Sequence, residues 1–107
     1  MIPFKQLFSF SQTEIKEAFA NAKLKDKIFG FKLLQAPTDH AYGKLLIVTP
    51  RKVGKACKRN KIRRRVKSIF YEERLFKIPA NSILLVYKPA NDINFEQIKA
   101  FLKKNLT

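Results

Sequence analysis

The segment Arg51–Lys67, RKVGKACKRNKIRRRVK, holds ten basic residues in seventeen and no acidic one. It cannot enter a protein interior, because an unpaired buried charge costs far more than packing returns. It can fold only at a surface, and it needs an apolar seam to stay there. The sequence supplies one. Ile62, Val66, Ile69 and Phe70 recur at i, i+4, i+7 and i+8, a stripe about 100° wide on a helix. A helix is therefore predicted over about residues 55–73, entered at Gly54, with Pro79 ending the helical region. Asn60, Lys61, Arg64 and Lys67 project away from the stripe. Lys58 and Arg65 border it on one side, Arg59 and Arg63 on the other.

The chain carries a net charge of +15, and this segment supplies +10 of it. Like charges so crowded repel, and a fold tolerates them best when an external polyanion neutralises them. A merely solvated helix face ordinarily mixes both signs. Nucleic acid is therefore the leading partner and an anionic membrane surface the second.

A length of 107 residues with 46% hydrophobic side chains suits one domain, residues 1–107, with one real core. One cysteine excludes an internal disulfide and a Cys-rich zinc site, and it fits a reducing cytosol. The segment MIPFKQLFSFSQTE lacks the sustained apolar core of a secretory signal, so a cytoplasmic location is expected. The longest apolar runs, Leu45–Val48 and Ile83–Tyr87, are far too short to cross a bilayer.

Elsewhere the elements announce themselves locally. Ser11-x-x-Glu14 is a capping box, and Ile15, Ala18, Phe19 and Ala22 then share one helical face, predicting a helix at about 12–22. Lys23–Lys27 reads as a charged connector. Ile28–Gln35 reads as a strand, with Phe29, Phe31 and Leu33 on one face and Gly30 and Lys32 on the other. Gly30 marks a place of close approach. Residues 36–43 read as a turn, Lys44–Thr49 as a central strand, and Ser82–Lys88 as another. Asn94, with Gln97 at capping-box distance, opens a last helix whose apolar face is Phe95, Ile98, Phe101 and Leu102. The order α-β-β-α-β-α, or α-β-β-β-α-β-α with the first strand broken in two, suggests a parallel strand pair joined by the basic helix.

A rigid helix lined with Arg and Lys suits a phosphate backbone. Its charges are preplaced, and guanidinium forks match phosphate oxygens. Asn60 adds an amide that can bond a phosphate, a 2′-hydroxyl or a metal-bound water. Beyond the basic segment there is little to carry chemistry. Cys57 reads as a small packing residue, with a thiol activated by the surrounding cations as the alternative, and His40 as a surface histidine without a partner. Glu72 and Glu73 read as solvated, since neighbours on a helix point about 100° apart.

Lys52-x-Gly54-x-Ala56-x-x-Arg59-Asn60-Lys61-Ile62-Arg63-Arg64, followed by Phe70, resembles the signature of the bacterial ribonuclease P protein family. The match runs without a gap from about Leu45 to Phe70 and more loosely over the rest. The resemblance implies an α+β fold. This is a two-layer α/β sandwich of the ribosomal protein S5 domain 2 type, α-β-β(-β)-α-β-α, with a left-handed crossover through the basic helix. It implies a subunit that has no catalytic or metal-binding residue of its own. The associated RNA performs the Mg²⁺-dependent removal of the 5′ leader from precursor tRNA, and no protein partner is required. By position, Lys52, Lys55, Arg59, Asn60, Lys61, Arg63, Arg64 and Lys67 would face the catalytic RNA. Ile15 and Phe19 would line a cleft for the leader, with Gly30 and Lys32 as its floor.

The chain departs from the family at several points. Lys61 replaces an Arg, keeping the charge but losing the fork. Arg65 stands where an apolar residue is common. Only Lys5 precedes Ser11 where the family has a basic segment. Ile15 and Lys32 occupy positions that are often aromatic, so charge and Phe19 are expected to carry more of the leader grip. Two other functions stay open at this point. One is a plain RNA-binding module of ribosomal-protein type. The other is a self-sufficient nuclease, which the lack of a carboxylate cluster and of a His pair disfavours. A DNA-reading helix-turn-helix fits poorly, because a strand follows the basic helix and no second short helix precedes it.

Overall fold

The computed structural model describes residues 3–38 and 40–106. A 3-10 turn, Phe4–Phe8, leads to helix α1, Gln12–Asn21. The capping box forms as its spacing dictates. The Glu14 N–H donates to Ser11 Oγ at 3.1 Å, and the Ser11 N–H donates to Glu14 Oε1 at 3.2 Å. Two amides that a helix start leaves orphaned are thereby satisfied. Strands β1 (Lys23–Ile28), β2 (Phe31–Pro37) and β3 (Lys44–Val48) follow. Helix α2 (Ala56–Glu72), strand β4 (Ala80–Val86) and helix α3 (Phe95–Leu106) complete the order. The α3 start repeats the device: the Gln97 N–H donates to Asn94 Oδ1 at 2.8 Å and the Asn94 N–H to Gln97 Oε1 at 3.1 Å.

The strands form one mixed sheet in the order β1-β2-β4-β3, with β3 and β4 parallel and the other pairs antiparallel. The parallel pair is joined through α2, as the sequence order suggested. The fold is the expected α+β arrangement, and the broken first strand is two strands.

Two details correct the sequence reading. Lys23–Lys27 is not a connector but most of β1. This strand lies at the sheet edge with nearly every side chain exposed, so it carries no apolar alternation to read. Phe29 does not share the inward face of Phe31 and Leu33. It sits with Gly30 in the β1–β2 turn and is 75% exposed. Gly30 takes φ +101°, and a Cβ there would lie 2.6 Å from the Ala90 backbone nitrogen. The close approach expected at Gly30 is made by the Ala90 main chain.

The two faces of the sheet have different covers. Phe31 and Leu33 of β2, Leu45 and Ile47 of β3, and Leu84 and Val86 of β4 face α2 and α3. They form one core with Ile62, Val66, Ile69, Phe70, Ile98, Phe101, Leu102 and Leu106. All four residues of the predicted α2 stripe are buried. On the opposite face, Lys32, Leu34 and Ala36 of β2 lie across from Leu85, Ile83 and Asn81 of β4. Lys44, Leu46 and Val48 of β3 continue those rows.

One ion pair fixes α1 on this second face. Lys44 is only 5% exposed. Its Nζ donates to Glu14 Oε2 at 2.8 Å and stands 4.6 Å from the centroid of the Phe10 ring. A buried ammonium without such partners would be strongly disfavoured. The Lys44 hydrogen bond, helped by the Ser11 N–H, holds the Glu14 carboxyl down at about 2 against an ordinary 4.5. Between these two values the unfolded chain binds the proton and the native one does not. Stability from this pair is therefore complete above about pH 4.5 and is lost as pH falls through about 2. Glu14→Gln keeps the capping geometry and removes the charge. It is expected to cost about 1–2 kcal/mol at pH 7, allowing for solvent screening at the carboxylate's open side. Denaturant midpoints should show the gap to the parent closing toward pH 2.

Candidate nucleic-acid interface

The basic residues are distributed around α2 as its period requires. Lys52 lies on a 3-10 turn, Arg51–Val53, and Lys55 is the N-cap residue of α2. Gly54 between them adopts φ 155°, ψ −168°, a conformation available essentially only to glycine. Asn60, Lys61, Arg63 and Arg64 are exposed. Lys67 is half-buried, with its Nζ 5.3 Å from the centroid of the Phe8 ring. Arg59 is also half-buried, and its Nε is turned inward with no hydrogen-bond partner. Arg63 and Lys67 flank a shallow pocket with Phe8 and β3. Lys58, Lys61 and Arg65 flank another, shared with Ala90, Asp92 and Ile93. The cationic surface thus wraps the helix from one sheet edge to the loop after β4.

Its electrostatics are set by where the acids go. Among the described residues, Glu14 pairs with Lys44 and approaches His40, Asp26 pairs with Lys104, and Glu73 pairs with Lys99 and Lys103. The Asn105 amide, with the Lys27 N–H, holds the Asp26 carboxyl below its usual range, and the Lys103 hydrogen bond does the same for Glu73. None of these ion pairs reaches a residue between Arg51 and Lys67. The first turn of α2 holds no acid and its N-cap no side-chain bond, so the positive end of the helix dipole adds to the field. Among the described residues no ion pair reaches this face, although Asp92 lines the pocket beside Lys58, Lys61 and Arg65.

Three sequence readings need correction here. Cys57 is exposed rather than packed. It lies nine residues before Val66, two and a half helical turns, and so on the opposite side from the core stripe. Glu73 is not free in solvent: its carboxylate is 3.1 Å from Lys103 Nζ and 3.7 Å from Lys99 Nζ, linking α2 to α3. His40 has a neighbour, with Nε2 3.6 Å from Glu14 Oε2. These partners lie 26 or more positions apart in the chain, beyond any local spacing rule.

The second surface lies beside α1. Glu14, Glu17, Ala18 and Asn21 line a cavity of about 260 Å³ with Pro37, Thr38, His40 and Asn81. Ala18 is buried against the sheet. At 100° per residue, Ile15 and Phe19 fall on the other flank of α1, toward Lys32 and Leu85. Phe19 is 44% exposed there and Ile15 half-buried. Lys32 projects from β2 onto this same open face. Gly30 is buried in its turn and offers no surface of its own; it shapes the end of the strand pair. Ile15, Phe19 and Lys32 are therefore brought to one face, separate from the α2 face. Tyr87, just past β4, is exposed beside Lys32 and was passed over in the sequence as the end of a strand.

Among the described residues no helix is long and apolar enough to cross a membrane. The family model for ribonuclease P matches residues 10–107. The ribonuclease P protein components of Borrelia duttonii and Borrelia recurrentis are each 35% identical to the chain over 95 residues, covering 87% of it and 82% of theirs. The Staphylococcus aureus RNase P protein superposes with a TM-score of 0.80 at 20% identity, over 94% of this chain and 92% of that one. The Thermotoga maritima RNase P protein gives 0.74 at 24% identity, over 91% and 96%. Sequence relatives and fold converge on one assignment: the chain belongs to the bacterial ribonuclease P protein family, the protein component of a tRNA-processing endoribonuclease.

Proposed function

We propose that α2 binds the catalytic RNA of ribonuclease P while the α1 face holds the 5′ leader of precursor tRNA. Scission then takes place in the RNA subunit. The observation that carries this reading is the cationic face of α2, whose charges form no ion pair within the described residues. A folded RNA provides phosphates along such a rod. Arg63 and Arg64 offer forks for paired phosphate oxygens, Lys52, Lys55 and Lys61 offer point charges, and Asn60 bonds a phosphate or a 2′-hydroxyl. Arg59, half-buried, is suited to a contact at the helix rim, and Lys67 to one beside the Phe8 ring.

On the other face, a single strand would pass between α1 and the sheet. Ile15, Phe19 and the strand side chains provide apolar contact there, and Lys32 a cation. Holding the leader on a subunit already fixed to the catalytic RNA makes substrate capture partly intramolecular, which raises affinity without new chemistry. The described residues gather no group of three or more His, Cys, Asp or Glu side chains that could hold a metal ion. In this scheme Mg²⁺ sits on the RNA phosphates. No further protein is needed in this scheme.

Reconstitution tests it. Precursor tRNA and a matching bacterial catalytic RNA are combined at low Mg²⁺ with and without the protein. Leader removal is expected only, or far faster, with both components, and the protein alone should cut nothing. A protein that binds the RNA yet leaves cleavage and leader affinity unchanged would be a plain RNA-binding module instead.

A further inference from the structure

Building on the leader cleft just proposed, we infer that Tyr87 is its base-stacking residue and Lys32 the phosphate partner of that stack. Lys32 lies on β2, and Tyr87 directly follows β4, the strand paired with it. Register fixes its direction. Phe31 pairs with Val86, and both turn into the core. The Tyr87 N–H donates to the Gly30 carbonyl oxygen at 2.8 Å, continuing that pairing past the end of β4. Alternation then sends Lys32 and Tyr87 together to the α1 face. The contact agrees: Lys32 Nζ lies 5.5 Å from the centroid of the Tyr87 ring, and Tyr87 remains 41% exposed.

A ring fixed at the end of a strand, with an ammonium against it, matches what a single-stranded nucleotide needs. The base lies on the π face and the phosphate takes the cation. As a base slides on, Lys32 leaves the ring for a phosphate oxygen, exchanging a weak cation–π contact for a charge-assisted one. Phe19, exposed on the α1 flank turned toward Lys32, offers a second ring to the same strand. The more exposed Phe29 is not part of this site. It lines a pocket with Ile28, Ile93 and Gln97 beside α3, away from α1. Because every base has a π face, the stack tolerates sequence variation, and the Tyr87 hydroxyl adds one hydrogen bond to whichever base edge meets it.

The test uses holoenzyme reconstituted with a matching catalytic RNA, and precursor tRNA carrying 2-aminopurine at one leader position at a time. With the parent protein, one position is expected to be quenched by stacking. Tyr87→Leu should relieve that quenching and weaken leader-dependent binding roughly tenfold, the value of about one stacked base. Tyr87→Phe should retain both. Lys32→Ala should retain the quenching and reduce the steepness of the salt dependence by about one phosphate contact. The exchange variant, Lys32→Tyr with Tyr87→Lys, should restore the stack from the neighbouring strand. Unchanged quenching and affinity in Tyr87→Leu, in a holoenzyme that still prefers precursor to leaderless tRNA, would overturn this assignment alone. If the parent shows no such preference, the cleft itself is misassigned and the stack falls with it.

Discussion

Changing Asn60, Arg63 and Arg64 together to alanine is expected to weaken binding of the catalytic RNA about a hundredfold, two charge-assisted phosphate contacts and one amide contact being lost. All three side chains are exposed on α2, so their removal opens no cavity. Stability should stay within about 1 kcal/mol of the parent and rise slightly if it moves, because alanine favours helix and two repelling charges are gone. The salt slope of binding should fall by about two, one for each lost cation. Binding measured over a salt series, with thermal melts of the same samples, separates this from a structural defect. A large drop in melting temperature would mean that these residues hold the fold. Arg59 belongs in a separate variant, since its inward Nε gives it a packing role that its neighbours lack.

Phe70→Ala is expected to have the opposite signature, a loss of about 4 kcal/mol of stability with little change in the affinity of the folded protein. The ring is 1% exposed, with ring centroids of Phe8 at 5.7 Å and Phe76 at 6.5 Å. It anchors the C-terminal half of α2, and its truncation leaves a cavity where α2, the sheet and the first 3-10 turn meet. For a domain of this size such a loss approaches the whole stability. Urea unfolding gives the magnitude. Adding catalytic RNA should recover part of the melting temperature, because a ligand that binds only the folded state stabilises it by mass action. A fully stable Phe70→Ala protein would show that α2 is not held to the sheet by this stripe.

The elements legible in the sequence are those whose signal is local. The stripe Ile62, Val66, Ile69, Phe70 repeats at the helical period and is buried in the structure. Ser11 with Glu14, and Asn94 with Gln97, mark two helix starts within four residues each. The exposure of Asn60, Lys61, Arg63 and Arg64 follows from the same period. What the sequence hid is tertiary. Strand β1 has no buried face to impose alternation. The Lys44–Glu14 pair, which seats α1, spans 30 positions, and the Glu73 pairs join helices that the chain separates by a strand. Tyr87 was invisible as a site residue because its partner, Lys32, is 55 positions away and meets it only through strand register.

Cys57 gives the most direct test of the central claim, that the cationic face of α2 lies on the catalytic RNA. It is the chain's single cysteine, exposed, and opposite the core stripe. An iron chelate attached to its thiol generates hydroxyl radicals that cut only nearby nucleic acid. In the assembled holoenzyme, strand scission is expected at a few clustered sites within the catalytic RNA, and it should disappear at high salt with binding. Cuts confined to the tRNA leader, or an intact catalytic RNA in a complex shown to be assembled, would place this helix elsewhere and contradict the claim.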